Sequence, residues 1–168
     1  MKDATTAGGS RRVLVVCTGN ICRSPMGEVF LRQHLESRGA SHVSVSSAGT
    51  HAQAGRAAMQ AAVRAVASIR GDLTGHASRP LDIGLARDAD LILCASREHR
   101  EFIRSWWPEV PADKLRMFNE AIAGAAPVDV DDPYGWDDEV FLLAARVIDR
   151  AMAGWAEQLA ARWPAARG

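Results

Sequence analysis

The sequence predicts an α/β fold: a single domain, a four-stranded parallel sheet with helices on both faces. Three observations predict it. Four short runs, at residues 13–16, 43–47, 90–94 and 115–118, read as strands. They alternate along the chain with stretches of helical periodicity, the pattern of a parallel sheet covered on both sides. A chain of 168 residues is one domain's length and buries roughly 70% of its unfolded surface.

Each element has its own local reason. Residues 1–10 are small, polar and glycine-containing, and are expected to be a disordered tail ahead of a domain at 11–168. Val13, Leu14, Val15 and Val16 form the first strand, which stops at Cys17. Ser24 followed by Pro25 reads as an N-cap and first helical position, and Val29, Phe30 and Leu35 continue at helical spacing until Gly39. Residues 43–47 alternate and end in Ser46-Ser47-Ala48-Gly49-Thr50. Residues 56–69 are alanine-rich and predict a helix, and 71–79 is a loop holding His76. A short helical turn at 83–87 introduces the third strand. Residues 96–107 predict a helix with Phe102, Ile103 and Trp106 inward, ended by Pro108 and Pro111. After the fourth strand comes a loop at 121–132. The final helix, 137–162, shows a stripe of Val140, Leu143, Val147, Ile148, Trp155 and Leu159.

The chemistry concentrates between the first strand and the first helix. Thr18, Gly19 and Asn20 suit a tight loop, because Gly and Asn tolerate left-handed backbone angles. Backbone N–H groups of a short loop ahead of a helix converge on an anion. Arg23 adds a planar fork of donors that fits two phosphate oxygens. Cys17, in the same positive field, is expected to act as a thiolate aimed at phosphorus. The loop lacks the Gly-Lys-Ser/Thr ending of a nucleotide-binding phosphate loop. In a parallel sheet the ligand site lies beyond the carboxyl ends of the strands, where Cys17 falls.

The nonamer Cys17-Thr18-Gly19-Asn20-Ile21-Cys22-Arg23-Ser24-Pro25, directly after an N-terminal strand, resembles the phosphate loop of the low-molecular-weight protein tyrosine phosphatases. The resemblance runs from about Val13 to the last helix. It implies hydrolysis of phosphotyrosine through a phosphocysteine on Cys17, with Arg23 on the phosphoryl group. It implies that Asp132, in Asp132-Pro133-Tyr134-Gly135, is the general acid that protonates the leaving group and then takes a proton from water. Thr18, Gly19, Asn20, Ile21, Cys22, Ser24 and Tyr134 are the expected phosphate- and substrate-binding residues. Ser47 and His76 are expected to support them: in the family, the loop Asn and the Ser after Arg bond to a Ser of the second-strand motif and to a His. Asp129 and Asp131 are read as solvated loop residues.

Several positions depart from the family. No Trp follows Thr50, where the stretch is His51-Ala52-Gln53-Ala54-Gly55. The places after the third strand that often carry Met-Asp and a later Asn read Ala95, Ser96 and His99. The Asp-Pro loop carries one aromatic, Tyr134, where others in the family carry two, and Trp136 is open to two readings, a substitute for the second or a core residue. Ile21 is aliphatic, as in the tyrosine phosphatases of the family, whereas its arginine phosphatases carry Thr there.

Two alternatives use the same residues. A thiol-dependent arsenate reductase shares this fold and would use Cys94, but its shuttle needs another thiol beyond, and no cysteine follows Cys94. A non-catalytic phosphotyrosine-binding module would not need Cys17, Arg23 and Asp132 together. Cys22 is a second loop thiol with two readings: it condenses with an oxidised Cys17, or it packs under the loop as a small apolar residue.

Composition bounds the rest. Lys+Arg and Asp+Glu both total 20, so nothing calls for nucleic acid or a membrane surface. Three cysteines without a paired framework suit a reducing, cytoplasmic compartment. His34, His42, His51 and His99 lack ligand spacing, so no metal and no cofactor are expected. The expected partners are tyrosine-phosphorylated proteins and a cognate tyrosine kinase, with the chain a monomer or weak dimer.

Overall fold

The structure, a computed structural model, describes residues 10–126 and 128–165. The tail expected at 1–10 lies outside the described residues except for Ser10, whose hydroxyl donates to the His42 carbonyl at 3.1 Å.

Four strands form one parallel sheet: β1 (Arg11–Cys17), β2 (Val43–Gly49), β3 (Leu91–Cys94) and β4 (Leu115–Met117), in the order β2-β1-β3-β4. Among the described residues the α-helices are α1 (Arg23–Ser37), α2 (Gln60–Ser68), α3 (Ile83–Asp88), α4 (Arg97–Trp106) and α5 (Asp138–Arg162). Strand β1 is central, so both its faces must be apolar. Val13, Val15 and Cys17 face one core, built on Met26, Phe30 and Leu31 of α1 and Ile148, Met152 and Trp155 of α5. Leu14 and Val16 face the other, with Ala86, Ile92, Ile103 and Met117. The strand following β1 in sequence lies on one side of it and the next lies on the other. That divergence opens a crevice at the carboxyl end of β1, where Cys17 sits.

Two boundaries differ from expectation, each for a tertiary reason. Helix α1 begins at Arg23 with Cys22 at its N-cap and no side-chain cap. Ser24 lies inside the first turn, and its hydroxyl turns to Cys17 instead. Gly39 ends the helix as expected, at φ 68°. Helix α2 starts at Gln60 rather than 56, because the preceding backbone is claimed elsewhere. Arg56 N–H donates to Ser78 Oγ, Ser78 N–H to the Arg56 carbonyl, and Met59 N–H to the Ile21 carbonyl.

In α5 the buried stripe is Phe141, Ala145, Ile148, Met152, Trp155 and Leu159. Leu143 and Val147, expected inside, are 54% and 42% exposed. The helix turns its alanines inward and so approaches its neighbours closely. In α4, His99 and Ile103 face inward and Trp106 is 69% exposed. No helix among the described residues is long and apolar enough to cross a membrane.

Candidate active site

Residues 17–24 curl at the carboxyl end of β1. Asn20 takes the left-handed conformation expected of the loop, at φ 53°. Its side-chain amide and its carbonyl are all used. Nδ2 donates to Ser24 Oγ (2.8 Å) and Ser47 Oγ (2.9 Å), and Oδ1 accepts from Arg79 N–H (2.9 Å). Its carbonyl lies 2.6 Å from His76 Nε2 and takes that ring's N–H. Ser47 Oγ in turn donates to Glu28 Oε2 at 2.6 Å. Ser24, Ser47 and His76 thus all contact Asn20. Gly49 closes the loop from behind: a Cβ there would stand 2.5 Å from the Thr18 carbonyl and 2.8 Å from Asn20 N.

Cys17 is 2% exposed, with Ser24 Oγ 2.9 Å from its Sγ. Asn20 already donates to that oxygen, so the Ser24 hydrogen turns to one of two acceptors, the sulfur at 2.9 Å or the more distant Ala48 carbonyl at 3.4 Å. Arg23 is 5% exposed. Its NH1 donates to the Val130 carbonyl (3.0 Å), and NH2 faces Asp132 Oδ2 (3.2 Å) and Thr18 Oγ1 (3.5 Å). Arg23 Nε is buried and makes no hydrogen bond within the described residues, which suits one oxygen of a phosphate. Asp132 Oδ1 accepts from Tyr134 N–H at 3.1 Å.

A cleft of about 220 Å³ joins these parts, lined by Cys17, Thr18, Gly19, Ile21, Cys22, Arg23, Arg56, Asp132 and Tyr134. All three expected catalytic residues and Tyr134 meet there. Trp136 does not line it and is 68% exposed, and His51, in the stretch after Thr50, sets its ring edge against Phe102 with centroids 5.4 Å apart. Cys22 shares the cleft with Cys17. Burial, then the neighbouring Cys17, pushes its thiol up to about 12.

Three residues escape sequence reasoning. Arg56 lines the cleft from the extended segment before α2, where helical composition concealed it. His99 is buried, with Nε2 2.8 Å from Thr18 Oγ1. Burial, then the charge of Arg23, pushes its imidazole down to about 4. The Ser96-to-His99 spacing was its one available signal. Asp129, expected to be merely solvated, accepts from Arg97 N–H at 2.8 Å and pairs with Arg97 Nε at 3.3 Å, tying the acid loop to α4. Cys94 faces the opposite core from Cys17, and burial pushes its thiol up to about 12, so it is no redox partner for Cys17. Among the described residues, no three His, Cys, Asp or Glu side chains cluster to hold a metal.

A strand-end thiol, a structured loop, an arginine with an unpaired buried Nε and a carboxylate across the cleft define a cysteine-based phosphatase. The family model for low molecular weight phosphotyrosine protein phosphatases matches residues 12–164, and the chain belongs to that family. The low molecular weight protein-tyrosine-phosphatase Etp of Escherichia coli K12 is 37% identical over 147 residues, 88% of this chain and 93% of that protein. The solved structure of Vibrio vulnificus Wzb in complex with benzylphosphonate superposes with a TM-score of 0.80 at 34% identity, covering 90% of this chain and all of that one. The YwlE arginine phosphatase from Geobacillus stearothermophilus superposes at 0.81 with 28% identity, covering 94% and 99%.

Proposed function

We propose that this chain hydrolyses phosphotyrosine in proteins through a phosphocysteine on Cys17. The observation that carries the reading is the cleft itself, in which Cys17, the unpartnered Nε of Arg23 and Asp132 converge. Cys17 sulfur attacks phosphorus while Asp132 gives its proton to the departing phenoxide. Water then attacks the phosphocysteine, Asp132 takes back a proton, and phosphate leaves with Cys17 regenerated. Charge on the transferring group is met by Arg23 and the N–H groups of the loop. A phosphate dianion competes with Asp132 for the same guanidinium edge, which frees the carboxyl to act as the acid. Tyr134 and Ile21, on the cleft wall, offer apolar surface to the aromatic ring. The substrates are tyrosine-phosphorylated proteins, with a cognate tyrosine kinase supplying them in the cytoplasm, and the chain works as a monomer or weak dimer.

Likeness to an arginine phosphatase supports a second reading, hydrolysis of phosphoarginine. Ile21 favours aryl phosphates, because its side chain has no hydroxyl to orient a guanidinium or the attacking water. One experiment tests both: release of phosphate from a phosphotyrosine peptide and from phosphoarginine, by the parent and by Cys17→Ser. The parent is expected to prefer the aryl ester strongly, and Cys17→Ser to lose turnover. Substantial activity in Cys17→Ser excludes the phosphocysteine, and efficient release from phosphoarginine excludes the substrate assignment.

A further inference from the structure

His99 makes a contact that the reaction above does not use. Its ring is 1% exposed, so water does not compete for its nitrogens. Nδ1 lies 3.1 Å from the backbone N–H of Ser96 and 2.9 Å from Ser96 Oγ. A backbone N–H only donates, so Nδ1 is an acceptor and carries no proton. The neutral ring therefore holds its hydrogen on Nε2, 2.8 Å from Thr18 Oγ1. Burial keeps the ring in this neutral, singly protonated form by pushing its pKa down to about 4. Thr18 Oγ1 also faces Arg23 NH2 at 3.5 Å. These two donors occupy the two lone pairs of the hydroxyl, so its own hydrogen turns away from both. Thr18 lines the cleft beside Cys17, Arg23 and Asp132.

Building on the phosphatase reading, we propose that His99 is a positioning residue: by donating Nε2–H to Thr18 Oγ1, it directs the Thr18 hydroxyl hydrogen onto the phosphoryl oxygens in the cleft. Thr18 is then a side-chain donor to the transferring group, alongside Arg23. Two substitutions of His99 itself separate this role from helix capping. An Asn at 99 keeps an oxygen for the Ser96 N–H but is too short to reach Thr18. A Gln reaches Thr18 with an amide N–H.

The test is steady-state turnover of para-nitrophenyl phosphate, with thermal melting of each variant as a check on folding. Thr18→Val is expected to lower kcat about tenfold, the effect of one hydrogen bond to a charged group, with KM within about twofold. His99→Asn should lower kcat comparably while melting close to the parent. The Thr18→Val/His99→Asn double variant should be no slower than Thr18→Val alone, because both changes remove one donor. His99→Gln should regain part of the loss, and Thr18→Ser should retain more activity than Thr18→Val. An unchanged kcat in His99→Asn, or losses that multiply in the double variant, overturns the proposal. If His99→Asn fails to fold, Thr18→Val decides, and parental kcat in that variant overturns the proposal. A parent that turns over no aryl phosphate overturns the phosphatase reading itself, a result visible before any variant is made.

Discussion

Asp132 stands between two demands. One carboxylate oxygen faces Arg23 at 3.2 Å and the other is held by Tyr134 N–H at 3.1 Å, while half of its surface remains open to the cleft mouth. The open half admits the leaving oxygen, and the Tyr134 contact fixes the rotamer that meets it. Pro133, buried between Asp132 and Tyr134, anchors this stretch although its neighbours are exposed. A proton donor matters in proportion to the basicity of the group it protonates. Asp132→Ala is therefore expected to lower kcat/KM by about 10²–10⁴-fold for an alkyl or unactivated phenyl phosphate, and far less for para-nitrophenyl phosphate. The slope of rate against leaving-group pKa reads this directly. A loss of equal size across the series assigns Asp132 to holding Arg23 in place rather than to proton transfer.

The acid loop is held by the element that follows it. Helix α5 docks on the 3-10 turn Phe118–Ala121: Trp155 Nε1 donates to the Phe118 carbonyl at 2.9 Å, and Gly154 lies beneath Ala121. A Cβ on Gly154 would stand 2.3 Å from the Ala121 carbonyl oxygen, a backbone atom that cannot move without the loop leading to Asp132. Gly154→Ala gains about 1 kcal/mol of helix propensity but overpacks this contact by about 1–3 kcal/mol. We expect a net loss of stability, read as a lower urea midpoint, together with a reduced kcat. A midpoint above the parent's shows that the turn yields freely. Such contacts mark the limit of what the sequence discloses. The strands, the 17–24 loop and the Asp132-Pro133 pair are legible because each is written in consecutive residues. The inward face of α5 is not, because Leu143 and Val147 are as apolar as Ile148 and only packing against α1 chooses among them. Helical composition at 56–59 gave way to hydrogen bonds with Ser78 and Ile21, which put Arg56 at the cleft. His99 and Thr18 are 81 positions apart, and no local pattern joins them.

At the scale of the molecule, the loop ties together segments that are distant in the chain. Asn20 joins β1, β2 and the 76–79 segment, Arg23 joins α1 to the Val130–Asp132 stretch, and Thr18 joins α4. Both cores begin on β1, whose end carries that loop. An oxyanion bound there acts on a structure in which all these segments must be native at once, so its binding energy adds to the stability of the whole fold. Inorganic phosphate at a hundredfold its Kd contributes about 2.7 kcal/mol. For a domain of this size each kcal/mol raises Tm by about 2–4 °C, so a rise of about 5–10 °C is expected. The variants divide the effect. Cys17→Ser keeps Arg23 and the loop, and should retain the shift while losing turnover. Arg23→Ala removes the guanidinium whose buried Nε is unpaired within the described residues, and should lose most of it. Sulfate should substitute for phosphate, since the site offers donors to tetrahedral oxygens, whereas chloride at equal ionic strength should not. A shift that survives Arg23→Ala at full size, or that chloride reproduces, places the stabilising ion outside the cleft.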